Sequence, residues 1–411
     1  MNAPYRRGAC PGLSAPMQTG DGLLVRITPS GRTIPLDAFS ALCSAARTHG
    51  NGIVEITSRG SIQVRGLTPS SASAFAADVA PLNLGNDGVP VVINPLSGLD
   101  PDELIDATAI ADDLRLALAS ASWTQNLSAK VSVVIDGGSA LHLDALMADV
   151  RLRAAHSNAG VCFEVLLGGD AKNARRLGAV ALGDAVETVS RLLATLAEQA
   201  PKAHMKEAID RLGIGPFAPE ARPRSDLQPV LRIASEPLGL HDVRDGRIAL
   251  GVGLPFGHSD ADALSELIDA ARGAGASGLR TAPGRALLIL GLKPDAASAL
   301  ADKVEQFGFI ADPGDPRRRV VACAGAPICA SGQIPARPLA PQIANAAGSM
   351  KTGIIHISGC AKGCAHHGPA ALTVVGRDGG CDLLLNGTPS GTVSIEALPS
   401  RVAELVKAGH V

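Results

Sequence analysis

Asp21-Gly22-Leu-Leu-Val-Arg-Ile27 and, far downstream, Gly246-Arg-Ile-Ala-Leu250 open two stretches that read alike, and their likeness decides the fold. In the first stretch the strand pattern leads into an amphipathic helix over Leu36–His49. A hairpin follows, Gly52-Ile-Val-Glu-Ile-Thr57 with Ser61-Ile-Gln-Val-Arg65. The second stretch repeats the order, with a helix from Asp260 to Gly273, then Gly278-Leu-Arg-Thr281 and Ala286-Leu-Leu-Ile-Leu290. Ala45-Ala46-Arg47 aligns with Ala270-Ala271-Arg272, Gly50 with Gly275 and Gly66-Leu67 with Gly291-Leu292, all at one offset of 225 residues. Alanine-rich helices give short chance matches, but a single shared offset points to duplication. Each unit is a β-α-β-β piece, half of a ferredoxin-like arrangement, and two halves can pair about a pseudo-twofold axis.

A longer segment follows each half. The first carries a helix pattern at Pro101–Ser120, strands at Lys130–Ile135 and Val161–Leu167, and a long helix at Asp184–Gln199. The second carries strands at Gly353–Ser358 and Ala371–Val375 and a closing helix near Ile395–Ala408. Gly213–Asp226, rich in Pro and Gly, reads as the linker between the halves. The expected division is two ferredoxin-like half-domains at 15–75 and 235–298, with α/β domains at 88–225 and 315–411. The fold class is α+β and α/β combined.

Composition excludes several function classes. With 46% hydrophobic and 18% charged residues in 411, the chain has a globular, not a disordered, composition. No run approaches the roughly 18–20 apolar residues of a membrane span, and the N-terminus has no apolar core of a secretory leader. A net charge of −2 and 2% aromatics give no pull toward nucleic acid. Eight cysteines, half of them clustered, fit a reducing cytoplasm.

That cluster is Cys323-x5-Cys329 with Cys360-x3-Cys364, both set among turn formers: Pro327, Gly359 and Gly363. Structural zinc favours tighter knuckles, and neither pair has the two-residue spacing. A disulfide framework does not suit a chain without a secretory leader. Four thiolates from two loops are what a 4Fe–4S cube requires. Cys43, Cys162 and Cys381 lie in helix or strand patterns and read as buried structural thiols, whereas Cys10 sits in the segment Gly8–Met17. Gly251-Val-Gly253-Leu-Pro-Phe-Gly257 is one residue too long for a dinucleotide loop and reads as a turn. No NADH site is therefore expected in this chain.

With a duplicated half-ferredoxin unit and this cysteine pattern, the chain resembles the sulfite and nitrite reductase superfamily over nearly its whole length. Within it, Arg6-Arg7-Gly8-Ala9-Cys10-Pro11 through Met17, Asn94-Pro-Leu-Ser-Gly-Leu-Asp-Pro101 and His356-Ile-Ser-Gly-Cys360 through His366 are similar to the precorrin-3B synthase family. That resemblance implies an O2- and NADH-dependent monooxygenase of aerobic cobalamin biosynthesis. Its reaction hydroxylates precorrin-3A at C20 and closes a γ-lactone with the ring-A acetate. It also implies a mononuclear non-haem iron beside the 4Fe–4S cluster.

Against the reductases, the resemblance places Cys364 where the last cluster cysteine ligates siroheme. Thr57-Ser58-Arg59 with Gln63-Val-Arg65-Gly66 matches the motif that supplies one anion-binding arginine, and Leu127-Ser-Ala-Lys130-Val-Ser132 matches the lysine motif. The second lysine is Ser132 here, and no arginine stands near Val91–Asn94. A site for sulfite or nitrite would lack about two cations, each worth a few kcal/mol to an oxyanion in a dry pocket. Siroheme-dependent nitrite or sulfite reduction is thus the alternative reading.

A large acidic tetrapyrrole as substrate instead calls for dispersed cations. The candidates are Arg6, Arg7, Arg59, Arg65 and Lys130, with the run Arg317–Arg319 just before the cluster; Arg59 and Lys130 are the catalytic candidates. His356 reads as a hydrogen-bond donor beside cluster sulfur, and of His366 and His367, which point apart, at most one is a ligand. No H-x-D/E…H pattern at convincing spacing marks an iron site. Electrons are expected from a separate NADH-dependent reductase, and the internal repeat makes a monomer sufficient.

Overall fold

The computed structural model describes residues 11–85, 87–221, 226–228, 232–233, 235–348, 350, 352–366 and 368–411. Arg6, Arg7, Cys10 and His367 lie outside the described residues.

The first half-domain runs β1 (Met17–Thr19), β2 (Gly22–Ile27), α1 (Leu36–His49), β3 (Ile53–Ile56), β4 (Ile62–Leu67) and α2 (Pro69–Val79). It is followed by β5 (Val91–Ile93), α3 (Thr108–Ser120), β6 (Val133–Asp136), β7 (Ala148–Ser157), β8 (Gly160–Gly169), β9 (Arg175–Val180), α4 (Ala185–Gln199) and α5 (Met205–Leu212). The second half-domain runs β10 (Gly239–Val243), β11 (Arg247–Gly253), β12 (His258–Asp260), α6 (Ala261–Gly273), β13 (Gly278–Ala282), β14 (Ala286–Leu292) and α7 (Pro294–Ala301). Last come β15 (Val320–Ala322), α8 (Ala336–Ala346), β16 (Ile355–Ser358), β17 (Leu372–Arg377), β18 (Gly380–Leu385), β19 (Thr388–Val393) and α9 (Leu398–Lys407).

The half-domain sheets are ordered β1-β2-β4-β3-β12 and β10-β11-β14-β13. Strand β12 of the second half thus pairs into the sheet of the first, Ser259 against Val54. Ile34 of the first half in turn pairs with Leu279 of the second through N–H···O bonds of 2.7 and 2.8 Å in both directions. The 225-residue shift carries Ile34 to Ser259 and Val54 to Leu279, so these are one contact made twice. Helices α1 and α6 close the same seam, with Phe39, Leu42, Leu264 and Ile268 in one shared core. Apolar burial at 3.6-residue spacing on both helices provides the drive.

The duplication extends beyond the half-domains. The larger sheets are ordered β5-β6-β7-β8-β9 and β15-β16-β17-β18-β19, and in each the first three strands are parallel and the last two antiparallel. Both copies run β-α-β-β-β-β-α, and the first adds α5 at its end.

Several elements differ from the sequence reading. The helix expected from Pro101 begins at Thr108, because Asp100 ties the preceding segment to a neighbouring loop and Asp106 accepts from the first helical amide. Asp100 accepts from the Ser139 hydroxyl at 2.5 Å and the Ala140 amide at 2.7 Å, and Asp106 accepts from the Thr108 amide at 2.9 Å. The stretch expected to link the halves instead buries Phe217 and Ala221 in the first α/β core, with 222–225 outside the described residues. The turn expected at Gly251–Gly257 starts later, since β11 continues to Gly253 and only Pro255–Gly257 turns. Cys43, Cys162 and Cys381 are buried, as their patterns predict.

Gly66 (φ +74°) and Gly291 (φ +79°) occupy matched left-handed positions, where a Cβ would meet Asn51 and Ser277 respectively. Gly66→Ala and Gly291→Ala should each lower unfolding stability by about 1–3 kcal/mol in denaturant titrations. A variant of either site as stable as the parent would contradict the matched strain.

Candidate active site and cluster loops

The cleft of interest, about 590 Å³, lies between the β3–β4 hairpin and the loops that leave β15 and β16. Strand alternation aims Gln63 and Arg65 of β4 into it, and Arg26 of β2 stands in register with Gln63. Arg59 projects from the hairpin turn, which is closed by Thr57 N–H to Ser61 O at 2.9 Å. Lys130, Arg285, Cys323 and Cys364 complete the charged and sulfur-bearing wall.

Parallel neighbours β15 and β16 end side by side, so their following loops emerge at one sheet edge. Cys323 follows β15 directly, and the Gly359 amide just after β16 donates to its Sγ at 3.1 Å. Burial pushes the Cys364 thiol up, and the charges of Cys323, Cys360 and Cys329 push it further, which Arg65 opposes. All four sulfurs therefore share one electrostatic environment. Among the described residues, no three of them lie within 4.8 Å of one another. A single tetrahedral zinc would draw them closer, with Zn–S near about 2.3 Å.

The β1–β2 turn packs against this loop. Gly20 O accepts from the Ala330 amide at 3.1 Å, and a Cβ on Gly20 would collide with Cys329 Sγ. Glycines at the Cys323 and Cys329 sulfurs thus leave a cradle that side chains would fill. The residues fit a 4Fe–4S cluster held by Cys323, Cys329, Cys360 and Cys364. His356, buried on β16, packs edge-on against His366 with ring centroids 5.9 Å apart. His366 Nε2 lies 3.1 Å from Pro369 O.

A charge network links the turn to the cleft. Arg65 grips Asp21 with two bonds, Nε to Oδ2 at 2.7 Å and Nη2 to Oδ1 at 2.8 Å. Burial alone would raise the Asp21 pKa, but the Arg65 bonds and charge, with the Thr19 hydroxyl, hold it below the usual aspartate range. Arg65 also faces Glu55 at 3.6 Å, and Glu55 is paired with Arg337. With its amide turned to satisfy both neighbours, Gln63 donates to Glu55 at 2.9 Å and accepts from Arg26 at 2.8 Å. Arg65 is thus held as part of the cleft wall, its charge shared with two carboxylates.

The sequence-predicted cations separate in space. Arg59, Arg65 and Lys130 line one cleft. Arg59 donates to Met147 O at 2.7 Å and to Ser132 Oγ at 3.0 Å, so the residue replacing the second lysine holds the arginine. Arg317–Arg319 line a second cavity instead. There Arg317 is engaged by Asp315, and Arg318 by Glu236 at 2.8 Å. Sequence reasoning missed Arg26, Glu55, Gln63 and Arg285. Polar residues at alternate positions of β2 and β4 were the available signal for the first three. Arg285 becomes visible only when the repeat is followed residue by residue.

The first α/β domain shows what stands where the other copy has its cysteine loops. Register places Ile93 opposite Ile135 and Ala322 opposite Ile357, so Asn94 answers to Cys323 and Gly137 to Gly359. The Gly137 amide donates to Asn94 Oδ1 at 2.6 Å, the counterpart of the Gly359–Cys323 contact. Asp136, His142 and Asp144 bring three ligand atoms within 4.8 Å nearby. Arg232 Nη1, however, lies 2.7 Å from Asp136 and 3.1 Å from Asp144, and this guanidinium already balances them. One histidine and two arginine-bound carboxylates do not fit a mononuclear iron site with two histidines and a carboxylate.

Residues 15–82 match the nitrite/sulfite reductase ferredoxin-like half domain, and residues 85–228 the nitrite and sulphite reductase 4Fe-4S domain. The second match covers the copy whose one cysteine is the buried Cys162. A precorrin-3B synthase from Sinorhizobium sp is 37% identical over 395 residues, covering 95% of this chain and 85% of that protein. The chain belongs to the precorrin-3B synthase family. It is an oxidoreductase of the nitrite and sulfite reductase superfamily. A chloroplastic ferredoxin–nitrite reductase from Oryza sativa is 26% identical over 79% of this chain and 61% of its own length. The Mycobacterium tuberculosis NirA protein shares the fold with a TM-score of 0.75 at 20% identity, over 94% of this chain and 80% of that one. Among the described residues no helix is long and apolar enough to cross a membrane.

Gly20→Ala tests the cradle. The variant should fold, by circular dichroism, yet lose most of its iron and its broad visible absorbance. Full iron content in that variant would show that the turn does not shape the cluster loop.

Proposed function

We propose that the chain is an O2- and NADH-dependent monooxygenase that hydroxylates precorrin-3A at C20 with closure of the γ-lactone, in aerobic cobalamin biosynthesis. The observation that carries this reading is the fate of Arg59. Where a reductase of this superfamily is expected to aim cations at a small anion, Arg59 here is hydrogen-bonded to Ser132 and Met147. The cleft keeps a scatter of cations, Arg59, Arg65, Lys130, Arg26 and Arg285, against the cysteine loop. Dispersed cations suit the many carboxylates of a tetrapyrrole substrate better than one compact oxyanion.

The roles follow from position. Lys130, exposed at the rim, meets an acid arm from solvent, and Arg59 orients a second from the hairpin turn. Arg65, fixed by Asp21 and Glu55, holds the cleft wall beside Cys364 in place, its charge met largely by those two carboxylates. Arg6 and Arg7 join the substrate site on the resemblance alone. A cube bound by Cys323, Cys329, Cys360 and Cys364 would supply electrons one at a time, with Cys364 nearest the macrocycle. NADH is the electron source through a separate reductase, and the internal twofold makes a monomer sufficient. A mononuclear iron belongs to the resemblance, and no step is derived through it.

Siroheme-dependent nitrite or sulfite reduction remains the second reading, favoured by the nitrite reductase relatives. Cys364→Ser tests the proposal: cluster absorbance and precorrin-3A hydroxylation should disappear together. Full hydroxylation by a cluster-free preparation would overturn it.

A further inference from the structure

We infer that a second cavity, behind Phe256 and Gly257, is a carboxylate-binding side chamber of the cleft, in which Arg285 and Arg319 receive an acid arm of the bound ligand. The identity of that ligand as a tetrapyrrole rests on the proposed function; the chamber's preference for carboxylates does not.

The chamber is about 340 Å³ and shares Phe256, Gly257 and Arg285 with the main cleft, so the two spaces meet at this wall. It suits an acetate or propionate arm and not a macrocycle. Four arginines line it, but two are already neutralised: Arg317 by Asp315 and Arg318 by Glu236, the chamber's one carboxylate. Arg285 and Arg319 make no side-chain hydrogen bond or ion pair among the described residues. Two half-buried guanidiniums facing one cavity without an anion form an unfinished site, because a buried charge is stable only when paired and hydrogen-bonded. Burial pulls the Arg285 pKa down, which the charge of Glu55 only partly offsets.

Backbone geometry supplies an independent argument. The 225-residue shift carries Gly60 (φ +82°) to Arg285 (φ +66°). The first copy places glycine at this left-handed turn, as the conformation favours; the second places a long charged residue there at a cost in strain. Phe256, which forms the shared wall, is also left-handed at φ +59°. Gly257 gives Arg285 its room, since a Cβ there would lie 2.6 Å from Arg285 Cδ. Strain, desolvation and lack of a partner all fall on the one arginine that opens on both spaces.

Arg285→Gly separates the functional from the structural reading, because glycine is the residue this backbone prefers. The probe is propane-1,2,3-tricarboxylate, read by its elevation of the melting temperature of the full-length protein. The unliganded variant should melt no lower than the parent. Its apparent affinity for the probe should fall by about tenfold to a hundredfold, the scale of one charge-assisted bond. Arg285→Lys should retain part of that affinity. In turnover, Arg285→Gly should raise KM for precorrin-3A by a similar factor and leave kcat nearly unchanged. A parent that ignores the probe, or a variant that binds it equally well, would overturn the chamber. Probe binding lost with KM unmoved would overturn its use by the substrate. If the parent does not act on precorrin-3A at all, the proposed function fails, and the probe still decides the chamber.

Discussion

Everything in this molecule hangs on a backbone pairing made twice: Ile34 with Leu279, and Ser259 with Val54. Each half-domain lends a short extended segment to the other's outer strand. The exchange satisfies edge groups that would otherwise face solvent or another chain, and it fixes the halves in one relative orientation. The hairpin of the first copy then faces the loops of the last domain. A cleft whose walls come from both copies is the result, and neither copy would form it alone.

Given that symmetry, the chemistry depends on where it is broken. At the matched ends of β5 and β15 stand Asn94 and Cys323, each accepting a hydrogen bond from a following glycine amide. One copy develops the position into a four-thiol cradle. The other fills it with Asp136, Asp144 and the Arg232 guanidinium, a closed ion network inside the fold. A second break lies at the hairpin turns, where Gly60 answers to Arg285. Both departures put charge or sulfur on a backbone frame that the other copy uses for structure, as expected when a duplicated scaffold divides structural and functional work.

Much of this was legible in the chain. The shared offset of Gly66 and Gly291 exposed the repeat because left-handed turn positions admit little but glycine. The cysteine loops were legible because two cysteine pairs set among glycines and a proline stand apart from the buried cysteines of helix and strand. Strands β7 and β9 were not read, since β7 is buried along most of its length and lacks clean alternation, while β9 opens on two exposed arginines. Pro and Gly around Phe217 suggested a linker, but one large apolar side chain anchors the segment in the core. In the site, residue type and motif singled out Arg59, Arg65 and Lys130, and these three line one cleft. The separation of Arg317–Arg319 into another cavity depended on tertiary packing and the partners Asp315 and Glu236, which no local pattern encodes.

On the function proposed above, the scaffold of a tetrapyrrole-bearing reductase here serves an enzyme whose tetrapyrrole is oxidised and released. Metal and chromophore analysis of anaerobically purified protein tests it most directly. The expected result is the iron and sulfide of a 4Fe–4S cube and no resident isobacteriochlorin, with tetrapyrrole absorbance appearing only after precorrin-3A is added. A protein that purifies with siroheme bound, showing its Soret and Q bands before any substrate is supplied, would instead be a siroheme reductase.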